Sequence, residues 1–465
     1  MKPLSLILFM LLAPLGVSQA ATVTKPNVLL IILDDQNAFA GRTDLAPAAV
    51  TPNLDRFARS GVIFSNAHCA APVCNPSRTA FLSGLRPATS GIYDNSQDSL
   101  PPDHLLRQAT ALPVYFREHG YRLAGAGKVF SSSIAAAVGK RIWDETVESD
   151  RKARKHDPVP PKDAPLNAIG KHAWGAFPES REEMEDWKLA GWAAEFLTKP
   201  QQPFFLACGI VKPHTPWYVP KEYFDLFPPE RVTIADLAKD ESAGLPESVR
   251  EKPHKTEALL IPRRKELIAA YLASSRYADD CVGRILQGLE KGPHRDNTIV
   301  VICGDNGYEF GEKNNWSKGS LREGSTHIPF IVAGPGVAKQ QTSTRPVSLL
   351  DLYPTLVELA GLPAKSGLDG VSLVPLLKNP SAAWERSALT TDGFKNHALR
   401  TDRWRYIRYA DGAEELYDHD NDPLERSNLA TKLEFTKIKE GLQQWLPKHD
   451  EPRNPDSPKS KSGDD

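Results

Sequence analysis

Pro26-Asn27-Val28-Leu29-Leu30-Ile31-Ile32-Leu33-Asp34-Asp35 is the stretch that decides the fold. Six apolar residues in a row cannot alternate between core and solvent. They read as a strand buried on both faces, the pattern of a parallel sheet covered by helices. Working outward, further strands are expected at residues 62–66, 121–126, 204–210 and 298–303. Helices fall between them. One has Thr51 as its cap, Pro52 at its first position and Gly61 as its end; another runs over 76–83 and stops at Gly84. A long one carries apolar groups at helical spacing over 267–289, and 348–360 precedes Gly361. Strands alternating with helices give an α/β unit with a central, mostly parallel sheet between helices. Past residue 380 the pattern changes to short strands at 388–391, 398–400, 404–409 and 414–417, then a helix at 432–445. This reads as a smaller α+β unit with an antiparallel sheet. Residues 145–176, polar and proline-rich, are expected to be a surface excursion.

Length agrees with two units, because single cores stop growing at roughly 250–300 residues and this chain has 465. The expected division is a signal peptide at 1–20, a large domain at 21–380, a C-terminal subdomain at 381–447 and a disordered tail at 448–465. Met1-Lys2 is a short basic start, and the apolar run over 4–17 is too short to span a bilayer. Ser18-Gln19-Ala20 supplies a cleavage site, so the chain is expected to be exported, periplasmic or secreted, without a membrane span. Lys and Arg number 57 and Asp and Glu 58, a net charge of -1 that offers nothing to nucleic acid or an anionic membrane. The five cysteines are too few for a disulfide scaffold and odd in number; Cys208, Cys281 and Cys303 sit in apolar patterns and read as core thiols.

Chemistry collects at the C-terminal ends of the expected strands, the edge where open α/β sheets bind ligands. Asp34-Asp35 ends one strand and Asp305-Asn306-Gly307 another; Lys128 and Lys212-Pro213-His214 end two more. Three carboxylates and an amide oxygen make a hard oxygen site for Ca²⁺ or Mg²⁺. Asp279-Asp280, inside a helix, reads instead as a solvated or helix-packing face. In Cys74-Asn75-Pro76-Ser77-Arg78 the cysteine lies at a helix N-terminus and the arginine one turn on, an arrangement suited to a tetrahedral oxyanion.

These residues carry a resemblance. Cys74-Asn75-Pro76-Ser77-Arg78 resembles the Cys-x-Pro-Ser-Arg motif of the formylglycine-dependent sulfatases, and its continuation to Pro87 is similar too. So are residues 27–35, Gly127-Lys128, Lys212-Pro213-His214, Gly304-Asp305-Asn306-Gly307, Trp316-Ser317-Lys318, 351–356 and Glu415-Leu416-Tyr417-Asp418. Gly127-Lys128-Val129-Phe130 and Val211-Lys212-Pro213-His214 look most like iduronate-2-sulfatase and its bacterial relatives. The resemblance implies an alkaline-phosphatase-like large domain and hydrolysis of sulfate esters on sulfated carbohydrates. It also implies a formylglycine made from Cys74 by a formylglycine-generating enzyme. Asp34, Asp35, Asp305 and Asn306 would then hold Ca²⁺ with an oxygen at position 74. The hydrated aldehyde would be the nucleophile, supported by Arg78. Lys128 and Lys318 would hold the sulfate, and His214 would protonate the leaving alcohol.

One departure stands out. The family has a histidine after the Gly-Lys motif where this chain has Phe130 and Ser131; His68 is a speculative substitute, with a packed or surface histidine as the plainer reading. That departure motivates an inactive glycan-binding relative as an alternative, and the cationic oxyanion site motivates a phosphoesterase. Tyr93, Trp143, Trp174 and Trp217 are candidates for a sugar subsite against a plain packing role.

Overall fold

The computed structural model describes residues 25–38, 51–97, 100–138, 142–147, 158–161, 166–200, 203–250 and 255–453. The expected signal peptide lies outside the described residues. An eight-stranded sheet forms the centre. Its strands are β1 (Asn27–Asp34), β2 (Gly61–Phe64), β3 (Arg122–Gly127), β4 (Glu145–Thr146), β5 (Phe204–Pro213), β6 (Thr298–Gly304), β7 (Phe330–Ala333) and β8 (Gln341–Ser343). They lie in the order β8-β2-β7-β6-β1-β5-β3-β4. Only β7 runs against its neighbours; the remaining pairs are parallel.

The apolar run at the start explains this layering. Leu29, Ile31 and Leu33 of β1 point into one core and Val28, Leu30 and Ile32 into another, the period-two alternation of a strand with no solvent face. On the first face lie helices α3 (Glu185–Thr198) and α4 (Arg264–Lys291). On the second lie α2 (Cys74–Ser83) and α5 (Leu352–Leu359). Gly84, at φ 76°, ends α2 in a left-handed cap, which a residue with a Cβ adopts only at a cost. Among the described residues, no helix is long and apolar enough to cross a membrane.

The smaller unit is a four-stranded antiparallel sheet, β9 (Ala388–Thr391), β10 (His397–Arg400), β11 (Trp404–Arg408) and β12 (Glu414–Asp418). Leu399, Tyr406 and Leu416 pack on Leu442 of helix α6 (Thr436–Gln443). Ala398, Ile407 and Tyr417, on the other face, pack on Leu321 of the large unit. Charges cross the same junction. Arg322 pairs with Glu415 at 2.8 Å, and Glu323 meets Arg405 and Arg400.

Several details depart from the sequence reading. Gly61 does not stop the helix α1 (Pro52–Ala58), whose C-cap is Arg59. It opens β2, where a Cβ would lie 2.0 Å from the Val332 carbonyl oxygen, so it is a close-approach glycine. Residues 145–176 are not merely a surface excursion. Glu145–Thr146 extends the central sheet, and His172–Ala176 pairs with Trp217–Val219, burying Trp174 in the core. The segment expected to be a disordered tail begins by docking. Glu451 N donates to Ala88 O at 2.7 Å, Tyr93 Oη donates to Glu451 O at 2.6 Å, and Arg453 pairs with Asp94 at 2.9 Å. Residues 454–465 lie outside the described residues.

Asp279 settles as a packing residue. Thr51 makes no side-chain cap bond at the start of α1. Asp279, buried on α4, does the work instead, accepting from Leu54 N at 2.8 Å and from Asn53 N at 3.1 Å. Two orphan amides of a helix start are thus satisfied from another element. Asp279→Ala is expected to cost about 2–3 kcal/mol, read as a lower urea midpoint, with catalysis per folded molecule unchanged. A large fall in rate at unchanged stability would instead place Asp279 in the catalytic machinery.

Candidate active site

The expected strand ends meet at one edge because β6, β1, β5 and β3 are adjacent and parallel. Leu33 is opposite Gly304, which sets Asp34 and Asp35 beside Asp305. A register shift after Leu33 places Asp34 opposite Pro213 and so brings up His214. Gly127 pairs with Gly209, and Cβ atoms at either would lie about 2 Å from the facing backbone oxygens. Gly127 also has φ 73°. Only glycines permit this approach, and Lys128 follows directly.

All the site residues expected from sequence lie together here. The Cys74 thiol, at the first position of α2, is 2.9 Å from Lys318 Nζ and 3.5 Å from Lys128 Nζ. Lys318 Nζ also donates to Asp35 Oδ1 and Lys128 Nζ to Asp34 Oδ2, each at 2.7 Å. Arg78 donates from Nε to Asp305 Oδ2 at 2.7 Å, from Nη2 to Asp34 Oδ1 at 3.3 Å, and from Nη1 to the Lys128 carbonyl. His214 Nδ1 lies 2.6 Å from Thr215 O, which fixes the proton on Nδ1 and turns Nε2 toward Asp35 Oδ2, 3.6 Å away.

Burial and charge compete in this cluster. Burial would raise Asp34, but Lys128, His214, Arg78 and Lys318 outweigh it and hold its carboxyl well below the usual range. Asp35 is lowered too: burial opposes, and Lys318 and His214 prevail. Asp305 goes the other way. Burial, with Asp34 and Asp35 adding to it, pushes its carboxyl up to about 6 despite Arg78. Burial and then Asp34 push the Cys74 thiol up to about 12, which favours the neutral thiol over the thiolate.

The donor set fits a hard cation. Oxygens of Asp34, Asp35 and Asp305 lie within 4.8 Å of one another. Asp35 Oδ2 and Asn306 Oδ1 are buried without a hydrogen-bond partner. Unpaired buried oxygens facing a carboxylate cluster are what a divalent ion would satisfy. Asp35 is held at φ 62°, costly for a residue with a side chain, by Asp305 Oδ1 on its N–H and Tyr271 Oη on its carbonyl.

Sequence reading missed some supports. Tyr271 is one. Asn75 is another: its N–H donates to Asn95 Oδ1 at 2.9 Å, and its side-chain amide donates to Asp94 O and Gln97 O. Ser77 Oγ donates to Asp305 O at 2.6 Å. No local pattern marks these partners, which lie up to 236 residues apart. The speculative His68 does not join the site: it is buried between Asn66 Oδ1 and Thr326 Oγ1 and stacks on His327. Phe130 stacks on Trp143, and Ser131 is buried. Trp174 and Trp217 are core residues, and Tyr93 is buried against residue 451.

A sulfatase family profile matches residues 26–362, and a profile described as N-sulphoglucosamine sulphohydrolase, C-terminal, matches residues 311–451. A sulfatase of Formosa agariphila is 37% identical over 92% of this chain and 87% of its own length. Human iduronate 2-sulfatase is 29% identical over 81% of this chain and 75% of its own. Among solved structures, a 2-O GAG sulfatase superposes with a TM-score of 0.67 at 25% identity, covering 90% of each chain.

Proposed function

The chain belongs to the sulfatase family, and from that premise we propose that it hydrolyses sulfate esters of carbohydrates with a formylglycine made from Cys74 and one bound Ca²⁺. The observation that carries this reading is the convergence of two ammonium groups on residue 74, at a helix N-terminus, against a cluster of carboxylates. The carbohydrate substrate is supported by the iduronate and GAG sulfatases among its relatives. Export to the periplasm or the outside is part of the same proposal, as is a formylglycine-generating enzyme as the maturation partner.

Asp34, Asp35, Asp305 and Asn306 would hold the cation, which supplies positive charge next to the sulfate oxygens. A hydrated formylglycine at 74 would supply two hydroxyls, one to attack sulfur and one to release sulfate. The chain's own residues do the rest. Lys318 and Lys128 bind the anionic oxygens of the ester beside residue 74. Arg78 is fully buried and bonded on both sides, so it fixes Asp305 and the Lys128 backbone in place and spends no mobility on substrate. Three carboxylates balance Lys128, Lys318 and Arg78, so a divalent ion, a protonated His214 and a singly charged sulfate ester leave net positive charge. That suits a reaction that releases an alkoxide.

His214 holds the proton for that alkoxide. Its Nδ1 is committed to Thr215 O, so Nε2 is the nitrogen that gives a proton away. A nitrophenol leaves without help, whereas a sugar alcohol needs the proton. His214→Ala is therefore expected to cost a sugar sulfate ~10²–10⁴-fold and an aryl sulfate far less, in single-turnover kinetics. Equal losses on both would make His214 a sulfate-binding residue and remove it as the acid.

A further inference from the structure

Lys318 reaches residue 74 from a segment without regular structure, and something must hold it there. Its flanks lead to one side chain. Asn315 Nδ2 donates to Glu309 Oε2, and Ser320 Oγ is 3.0 Å from Glu309 Oε1. Those partners lie three residues before Lys318 and two after it. The Glu309 backbone adds a third tie, its N–H donating to Ser317 O at 2.7 Å. Glu309 is 2% exposed, and its methylene arm fits because residue 324 is glycine: a Cβ there would lie 2.5 Å from Glu309 Cγ. The charged groups facing the carboxyl are Arg322, itself engaged by Glu415, and Glu312.

We propose that Glu309 is a positioning residue for sulfate binding, its carboxyl clamping both flanks of the Lys318 segment so that the ammonium is fixed against residue 74. This rests on Lys318 being a sulfate-binding group, as the proposed function has it. Burial pushes the Glu309 carboxyl up to about 8. One carboxyl oxygen accepts from Asn315 and the other from the Ser320 hydroxyl, so the clamp needs a planar group with a polar atom at each position. Glutamine can span the same two partners, its oxygen accepting from Asn315 and its amide donating to a Ser320 hydroxyl turned to accept. Alanine removes both bonds.

The test is a double-mutant cycle on the matured enzyme with an aryl sulfate, with inorganic sulfate as the competing ligand. Glu309→Ala is expected to lower kcat/KM by about 10²-fold, the usual cost of misplacing a binding group by about 1 Å. It should also weaken inhibition by sulfate. Glu309→Gln should keep at least about a third of the wild-type rate at pH 7. In a Lys318→Ala background, Glu309→Ala should add less than about threefold, because its effect passes through that lysine. Should Glu309→Ala not fold, the Asn315→Ala, Ser320→Ala pair cuts the same two bonds from the other side and should show the same loss and the same non-additivity. Losses that multiply in the Lys318→Ala background, or a glutamine variant as impaired as the alanine one, would overturn the proposal. A wild type that turns over no sulfate ester would instead overturn the proposed function, and a normal response to Lys318→Ala separates the two failures.

Discussion

Cys74→Ala abolishes sulfate-ester cleavage, with an expected fall in kcat/KM on the order of 10⁵-fold or more. No other group around the sulfate position can take over bond formation to sulfur. Lys128 and Lys318 are ammonium groups tied to carboxylates, Asp34 and Asp35 are engaged by them, and His214 faces Asp35. The fold should survive, because the replaced group is one small buried sulfur atom and alanine is the best helix former. Rates on an aryl and a sugar sulfate, with a urea midpoint on the same preparation, make the check. A folded variant that keeps more than about 1% of the wild-type rate would mean that the nucleophile lies elsewhere, since nucleophile removal costs far more.

Asp305→Ala should act on stability as strongly as on rate. Its carboxylate accepts from Arg78 Nε at 2.7 Å, from Asp35 N at 3.0 Å and from Asn306 N at 2.9 Å, all of them buried. Without it, Arg78 keeps only the 3.3 Å contact to Asp34 among carboxylates. Removing one member of a buried pair costs about 3–5 kcal/mol. The contribution of the proposed calcium ion should disappear as well; at an ion concentration of about 100 Kd such an ion would be worth about 2.7 kcal/mol to the intact site. The wild type should therefore show a Tm that rises with added Ca²⁺ and falls on chelation, and the variant a lower Tm with no response. An identical calcium response in both would remove Asp305 from the cation site.

The strand ends were legible because each is written locally: a buried apolar run, then a polar group at the edge where ligands bind. That logic places Asp34, Asp35, Lys128, His214, Asp305 and Asn306 together, and the motif adds Cys74, Arg78 and Lys318. Supports were not legible. Tyr271 lies on a helix whose apolar spacing marks it as core, and nothing in its neighbourhood says that its hydroxyl holds the Asp35 carbonyl. The docked residues Glu451 and Arg453 look like a tail because their partners, at 88–96, are more than 350 residues away. Trp174 and Trp217 stand in short stretches punctuated by glycine and proline, without a helix or strand period, and the pairing of His172–Ala176 with Trp217–Val219 carries them into the core.

The buried bond between Arg78 and Asp305 also sets a clock. The two residues are 227 positions apart. On a ribosome adding about 5–20 residues per second, the partner emerges roughly 10–50 s after the arginine. The strand that sits beside β1 on that side, β6, comes just as late. Until then neither the guanidinium nor the central strand has its full set of neighbours, and the contacts that bury Cys74 in the folded chain are incomplete. Once the sheet closes, the same thiol is buried and pushed up to about 12. Any enzyme that converts this cysteine meets a substrate with an expiry time written into the order in which the strands are made.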